Sequence, residues 1–203
     1  METMGGIEMR ELDQVLRTSP GQSGFMLKRY TAHSSEELRA EMLRIASLLS
    51  CHSQILTGYA LVPAVGLRLD QRVPTPPHFD GGPEDSVLLL GYEESSRDSS
   101  VGVCEPGGVD RIRGAGRLSP LFRTSPTASW VLAVNNSAPQ AAGRRTSWLG
   151  LQHGAAEISR EGGSRFVNSL LLGLAPQVSE PVDTAQWLRA PPTAVNKHRH
   201  DGP

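Results

Sequence analysis

The sequence predicts a mainly β chain of the α+β class. Two stretches with helical apolar spacing come first, and short apolar runs bounded by glycine, proline and serine follow. Strand and helix do not alternate along the chain, so a parallel βαβ sheet is not expected. The 203 residues include 21 glycines and 15 prolines, a turn-rich composition. Leu, Ile, Val and Phe account for 47 residues, enough for one core, since chains below about 20% in these residues tend to stay unfolded.

The first helix is expected over Ile7–Arg17, with Ile7, Leu12, Val15 and Leu16 on one face and Ser19-Pro20-Gly21 as its stop. Ser34 followed by Glu37 reads as a capping box, in which hydroxyl and carboxylate satisfy backbone N–H groups that have no helical partner. Leu38, Met42, Ile45, Ala46 and Leu49 then recur at three- and four-residue spacing, an amphipathic helix to about Ser50. Strands are expected near Gln54–Leu61, Val65–Leu69, Ser86–Tyr92, Trp130–Asn135, Ser147–Ile158 and Ser164–Gly173. The segment Glu93–Ser129 is long, rich in Gly, Ser and Arg, and poor in apolar residues; it reads as a lid, a binding loop or a disordered insert. The organisation is therefore a helical segment over 1–50, a β core over 51–176 with its long loop at about 93–129, and a partly disordered C-terminal extension over 177–203.

Twenty Lys and Arg against 21 Asp and Glu give a net charge of -1. No electrostatic footprint for nucleic acid is expected from that balance. No apolar run approaches the roughly 20 residues that span a bilayer. Met1–Arg10 carries Glu2 and Glu8 without an apolar core, so a cytoplasmic location is expected. Cys51 and Cys104 form no CxxC pair and no disulfide framework. Neither GxSxG, a Walker loop nor GxGxxG is present.

The chemistry-bearing piece is Pro76-Pro77-His78-Phe79-Asp80-Gly81-Gly82. In extended backbone, residues two apart project to one face, so His78 and Asp80 present an imidazole and a carboxylate side by side. A second histidine, His153, lies 75 residues later inside the strand-like run Leu149–Ala155. Arg165 follows twelve residues beyond it, at the head of Phe166-Val167-Asn168-Ser169-Leu170. Two histidines and one carboxylate on one face of an iron leave three positions open. A buried arginine offers a planar, permanently charged fork for a carboxylate.

In this order of parts the chain resembles the Fe(II)/2-oxoglutarate-dependent dioxygenases. The resemblance covers roughly Gln54–Gly173 and implies a double-stranded β-helix, or jelly roll, with the N-terminal helices packed outside the sheets. It implies that His78, Asp80 and His153 hold Fe(II) and that Arg165 pairs with the far carboxylate of 2-oxoglutarate. The family usually carries a hydroxyl residue two positions after that arginine, where this chain has Val167. Ser169, Tyr59 and Tyr92 are the candidates to supply it. The implied reaction couples decarboxylation of 2-oxoglutarate by dioxygen to oxidation of a C–H bond in a small molecule, such as an amino acid or a natural-product intermediate. A carboxylate at position 80 favours hydroxylation over halogenation. A cupin-like jelly-roll binding protein without oxygenase turnover is the alternative, and turnover of 2-oxoglutarate separates the two.

Overall fold

The computed structural model describes residues 3–4, 6–16, 23–71, 83, 85–95, 100–101, 122–123, 128–136, 165–189 and 194–195. Strands β1 (Thr3–Met4) and β2 (Ile7–Glu8) pair antiparallel and lead directly into helix α1 (Met9–Leu16). The helix expected from Ile7 starts at Met9 because Ile7 and Glu8 are taken up by strand pairing. Strand β3 (Phe25–Tyr30) was not among the expected strands, since Lys28 and Arg29 interrupt its apolar pattern.

Helix α2 (Ser35–Thr57) begins as the capping box predicts. The Glu37 N–H donates to Ser34 Oγ at 3.1 Å, and the Glu37 carboxylate accepts from the His33 N–H at 2.7 Å. The helix corrects two expectations: it runs on past Ser50, and residues 54–57, read as strand, are its last turn. Its inward face simply changes character, from Leu38, Met42, Ile45 and Leu49 to the buried polar residues His52 and Ser53. His52 Nε2 pairs with Asp13 of α1 at 2.7 Å, and Ser53 Oγ donates to the Tyr59 carbonyl at 2.9 Å. Gly58 stops the helix at φ 81°, a left-handed conformation that costs a residue with a Cβ far more than glycine.

The remaining elements are β4 (Leu61–Gln71), β5 (Val87–Tyr92), β6 (Ser100–Val101), β7 (Phe122–Arg123), β8 (Ser129–Asn135), β9 (Arg165–Leu174), a 3-10 turn (Ala175–Gln177), α3 (Thr184–Arg189) and β10 (Ala194–Val195). The expected strand at Ser147–Ile158 lies outside the described residues. One six-stranded sheet has the order β10-β4-β9-β5-β8-β3; its pairings are antiparallel except for β10 on β4. β6 and β7 form a separate antiparallel ribbon.

Both faces of this sheet are apolar. Met26, Val87, Leu89, Val131, Ala133, Leu170 and Leu172 meet Leu12, Val15, Leu38, Met42, Ile45 and Leu49 of the two long helices. The opposite face carries Leu88, Leu90, Tyr92, Leu132, Val134 and Val167, joined by Val101 of β6. Leu89, Leu132, Leu170 and Leu172 retain no exposed surface, and burial of each such side chain is worth about 1.5–3 kcal/mol. Close approach decides two glycines. A Cβ on Gly91 would collide with Met42 Sδ, and one on Gly66 would come within 2.6 Å of Trp187 Cδ1. After β9 the chain turns back over the helix-covered face, where the Val182 N–H donates to the Pro63 carbonyl at 2.9 Å and Trp187 is buried.

Candidate functional site

Arg165 is the first residue of β9 and pairs with Gln71, the last residue of β4. Its register position falls on the face of Val167 and Ser169, the face opposite the helices. Ser169 stands between Leu67 of β4 and Leu90 of β5, half-buried. His78, Asp80 and His153 lie outside the described residues. The segment with His78 and Asp80 follows β4 and precedes β5, and His153 precedes β9. His78 is seven positions after Gln71, a reach of up to about 24 Å at full extension. Among the described residues, no group of three or more His, Cys, Asp or Glu could hold a metal ion.

The strand directions sort the three hydroxyl candidates. Tyr92 ends β5 directly across from Val167, buried, at the same end of the sheet as Arg165. Ser169 is four residues along β9 on the same face. Tyr59 precedes β4 and is 53% exposed. An eleven-residue strand therefore separates it from the Gln71–Arg165 pair, about 33 Å at the usual rise, and it drops out as a partner of Arg165.

Beneath the same end of the sheet, on the helix side, lies a buried polar cluster that sequence reasoning missed. Arg68 of β4 donates from Nε and Nη2 to the two carboxylate oxygens of Glu93, at 2.8 and 2.9 Å. Ser35 Oγ, in the first turn of α2, donates to Glu93 Oε2 at 2.5 Å. Asn168 of β9 donates to Glu93 Oε1 at 2.9 Å and to the Gly91 carbonyl at 3.4 Å, and its Oδ1 accepts from Arg39 Nη1 at 3.2 Å. Arg39 of α2 also caps α3, donating to the Leu188 carbonyl from Nε at 2.9 Å and from Nη2. The Arg68 guanidinium stacks 4.2 Å above the Phe166 ring. Five elements thus meet at one set of hydrogen bonds.

Opposing effects set the charges there. Burial would raise the Glu93 carboxyl, yet hydrogen bonds from Arg68, Ser35 and Asn168 outweigh it and hold it below the usual carboxylate range. Arg68 is raised by its hydrogen bonds to Glu93 against the cost of its burial. Arg39 is lowered by burial first and by the neighbouring Arg68 charge second. These hydrogen bonds connect the groups mainly to one another, so the cluster acts as a joint between elements. Its signal in the sequence was a lone asparagine in the apolar run Phe166–Leu172 and an arginine beside Leu38 on the inward face of α2.

No family model, curated protein or solved structure matches this chain. No described helix is long and apolar enough to cross a membrane.

Proposed function

We propose that the chain is an Fe(II)/2-oxoglutarate-dependent dioxygenase that oxidises a C–H bond of a small molecule, on a double-stranded β-helix. The order of the sheet carries the reading. β4 and β5 run parallel with β9 between them, and β8 and β9 run parallel with β5 between them. Residues 72–86 and 136–164 must therefore each return the length of the sheet. A jelly roll has this property, because its strands alternate between two facing sheets. The His78–Asp80 pair falls in the first return segment and His153 in the second. Two further observations support it: the β6–β7 ribbon sits in the remaining connection, and Val101 buries against the face the helices leave.

On this reading the facing sheet brings His78, Asp80 and His153 over the face that holds register position 165 and Ser169. Two imidazoles and a carboxylate are the donor set of the mononuclear Fe(II) oxygenases. An Fe(II) held by these residues would, with 2-oxoglutarate and dioxygen, supply oxidative decarboxylation to succinate and carbon dioxide, one oxygen atom going to succinate and the other to oxidation of the substrate. The chain's own residues do the rest. Arg165 gives the cosubstrate's far carboxylate a bidentate, fixed-charge partner, with Tyr92 or Ser169 beside it. Leu88, Leu90, Leu132, Val134 and Val167 keep that face dry, which strengthens the charge pairing.

The test is succinate formed from 2-oxoglutarate by the Fe(II)-loaded protein in air, measured with His78→Ala and His153→Ala alongside. Turnover lost in both variants supports the proposal. Folded wild-type protein that forms no succinate, even with a substrate library present, would turn the reading to the binding protein.

A further inference from the structure

Strand β9 poses a problem of register. Its run Val167, Leu170, Leu171 and Leu172 is apolar on both faces, and both faces of the sheet are apolar too. A one-residue slip exchanges the faces of a strand, and a two-residue slip shifts its partners; hydrophobic pattern resists neither when both sides are oily. Among the described residues of the strand, the fully buried polar side chain that tells the alternatives apart is Asn168, on the helix side. In the observed register it sits between Arg68 of β4 and Gly91 of β5 and bonds to Arg39, Glu93 and the Gly91 carbonyl. Slipped by two toward Leu89 and Gly66, the amide would lie where Trp187 packs on the sheet, away from Arg39, Glu93 and the Gly91 carbonyl. Slipped by one, it would join Leu67 and Leu90 on the opposite face. A buried amide without partners is costly in either place.

We infer that Asn168 is the register lock of β9, a positioning residue that holds positions 165 and 169 on the face opposite the helices. Its effect on cosubstrate binding rests on the dioxygenase reading; its effect on register does not. The lock acts through three neighbours at once: Glu93 ties it to the end of β5, Arg39 to α2, and the Arg39–Leu188 contact to the α3 segment.

The test uses the full chain with Cys51→Ser and Cys104→Ser. Cysteines are introduced at Leu90 and Ser169, directly opposed across β5 and β9, where side chains stand about 4.5–5.5 Å apart at Cβ. With Asn168 present, oxidation should cross-link the pair nearly completely. With Asn168→Leu, a substitution of similar volume, the yield should fall at least threefold, and a Leu90–Val167 cysteine pair, opposed after the slip toward Leu89, should begin to form. In the chain with its native cysteines, Asn168→Leu should raise the KM for 2-oxoglutarate tenfold or more with a smaller change in kcat, and Asn168→Asp, which keeps the acceptor for Arg39, should recover part of it. An unchanged cross-link in folded Asn168→Leu protein overturns the lock, whatever the chemistry. A lost cross-link in a chain whose wild type does not turn over 2-oxoglutarate upholds the lock and rejects the dioxygenase.

Discussion

Glu93→Gln removes one charge from the joint between α2 and the sheet and changes almost nothing in volume. Glu93 accepts two hydrogen bonds from Arg68, one from Ser35 and one from Asn168, and the Arg68 and Glu93 side chains are 14% and 13% exposed. Breaking a buried ion pair from one side costs about 3–5 kcal/mol, and the residual exposure argues for the lower end, about 3 kcal/mol. For a domain of this size each kcal/mol moves Tm by about 2–4 °C, so the expected fall is about 6–12 °C. Urea unfolding followed by tryptophan fluorescence should show a lower midpoint with an unchanged slope. The loss also depends on pH. Glu93 is held below its unfolded value near 4.3, so its contribution is present in full above that pH and is lost as pH falls through the folded pKa. The gap between wild type and variant should therefore narrow in acid. A loss under about 1 kcal/mol at neutral pH, the range of exposed pairs, would refute the view of this cluster as a buried joint.

Gly91→Ala should destabilise by about 1–3 kcal/mol through collision with Met42 Sδ, and Met42→Ala in the same chain should return part of that loss in a denaturant series. Gly58→Ala meets no atom within 4 Å, so its cost is backbone alone, about 1–2 kcal/mol for a left-handed residue; thermal unfolding measures it. Arg165→Lys should keep the fold but raise the KM for 2-oxoglutarate at least tenfold, because an ammonium cannot reproduce the planar fork; an unchanged KM would remove Arg165 from the cosubstrate site.

Much of the fold was legible where one face of an element is plainly apolar. The capping box at Ser34, the strand Val87–Tyr92, the strand Trp130–Asn135 and the final strand from residue 165 fall where expected, within a residue or two. The failures share a cause. Residues 51–57 continue a helix whose buried side has turned polar, so apolar periodicity loses it. Strand β3 carries Lys28 and Arg29, side chains whose long stems pack while their charges reach Gly6, Glu11 and the Trp130 ring. Helix α3 is six residues long with Trp187 as its buried anchor, too short for a periodic signal. The candidate site was read from composition and order alone, and of its residues His78, Asp80 and His153 lie outside the described residues; the polar cluster at the Arg165 end of the sheet was not read. Its members lie far apart in sequence, at 35, 39, 68, 93 and 168, and only the strand order brings them together.

The central claim is that two return segments and the head of β9 form one iron and 2-oxoglutarate site. Anaerobic titration of the apoprotein with Fe(II) and 2-oxoglutarate tests it most directly, through the weak visible charge-transfer band of the chelate. The account predicts a band that saturates at one iron per chain, disappears in His78→Ala and His153→Ala, and needs far more 2-oxoglutarate in Arg165→Lys. A folded wild-type protein that gives no band, or a band that survives loss of either histidine, would contradict it.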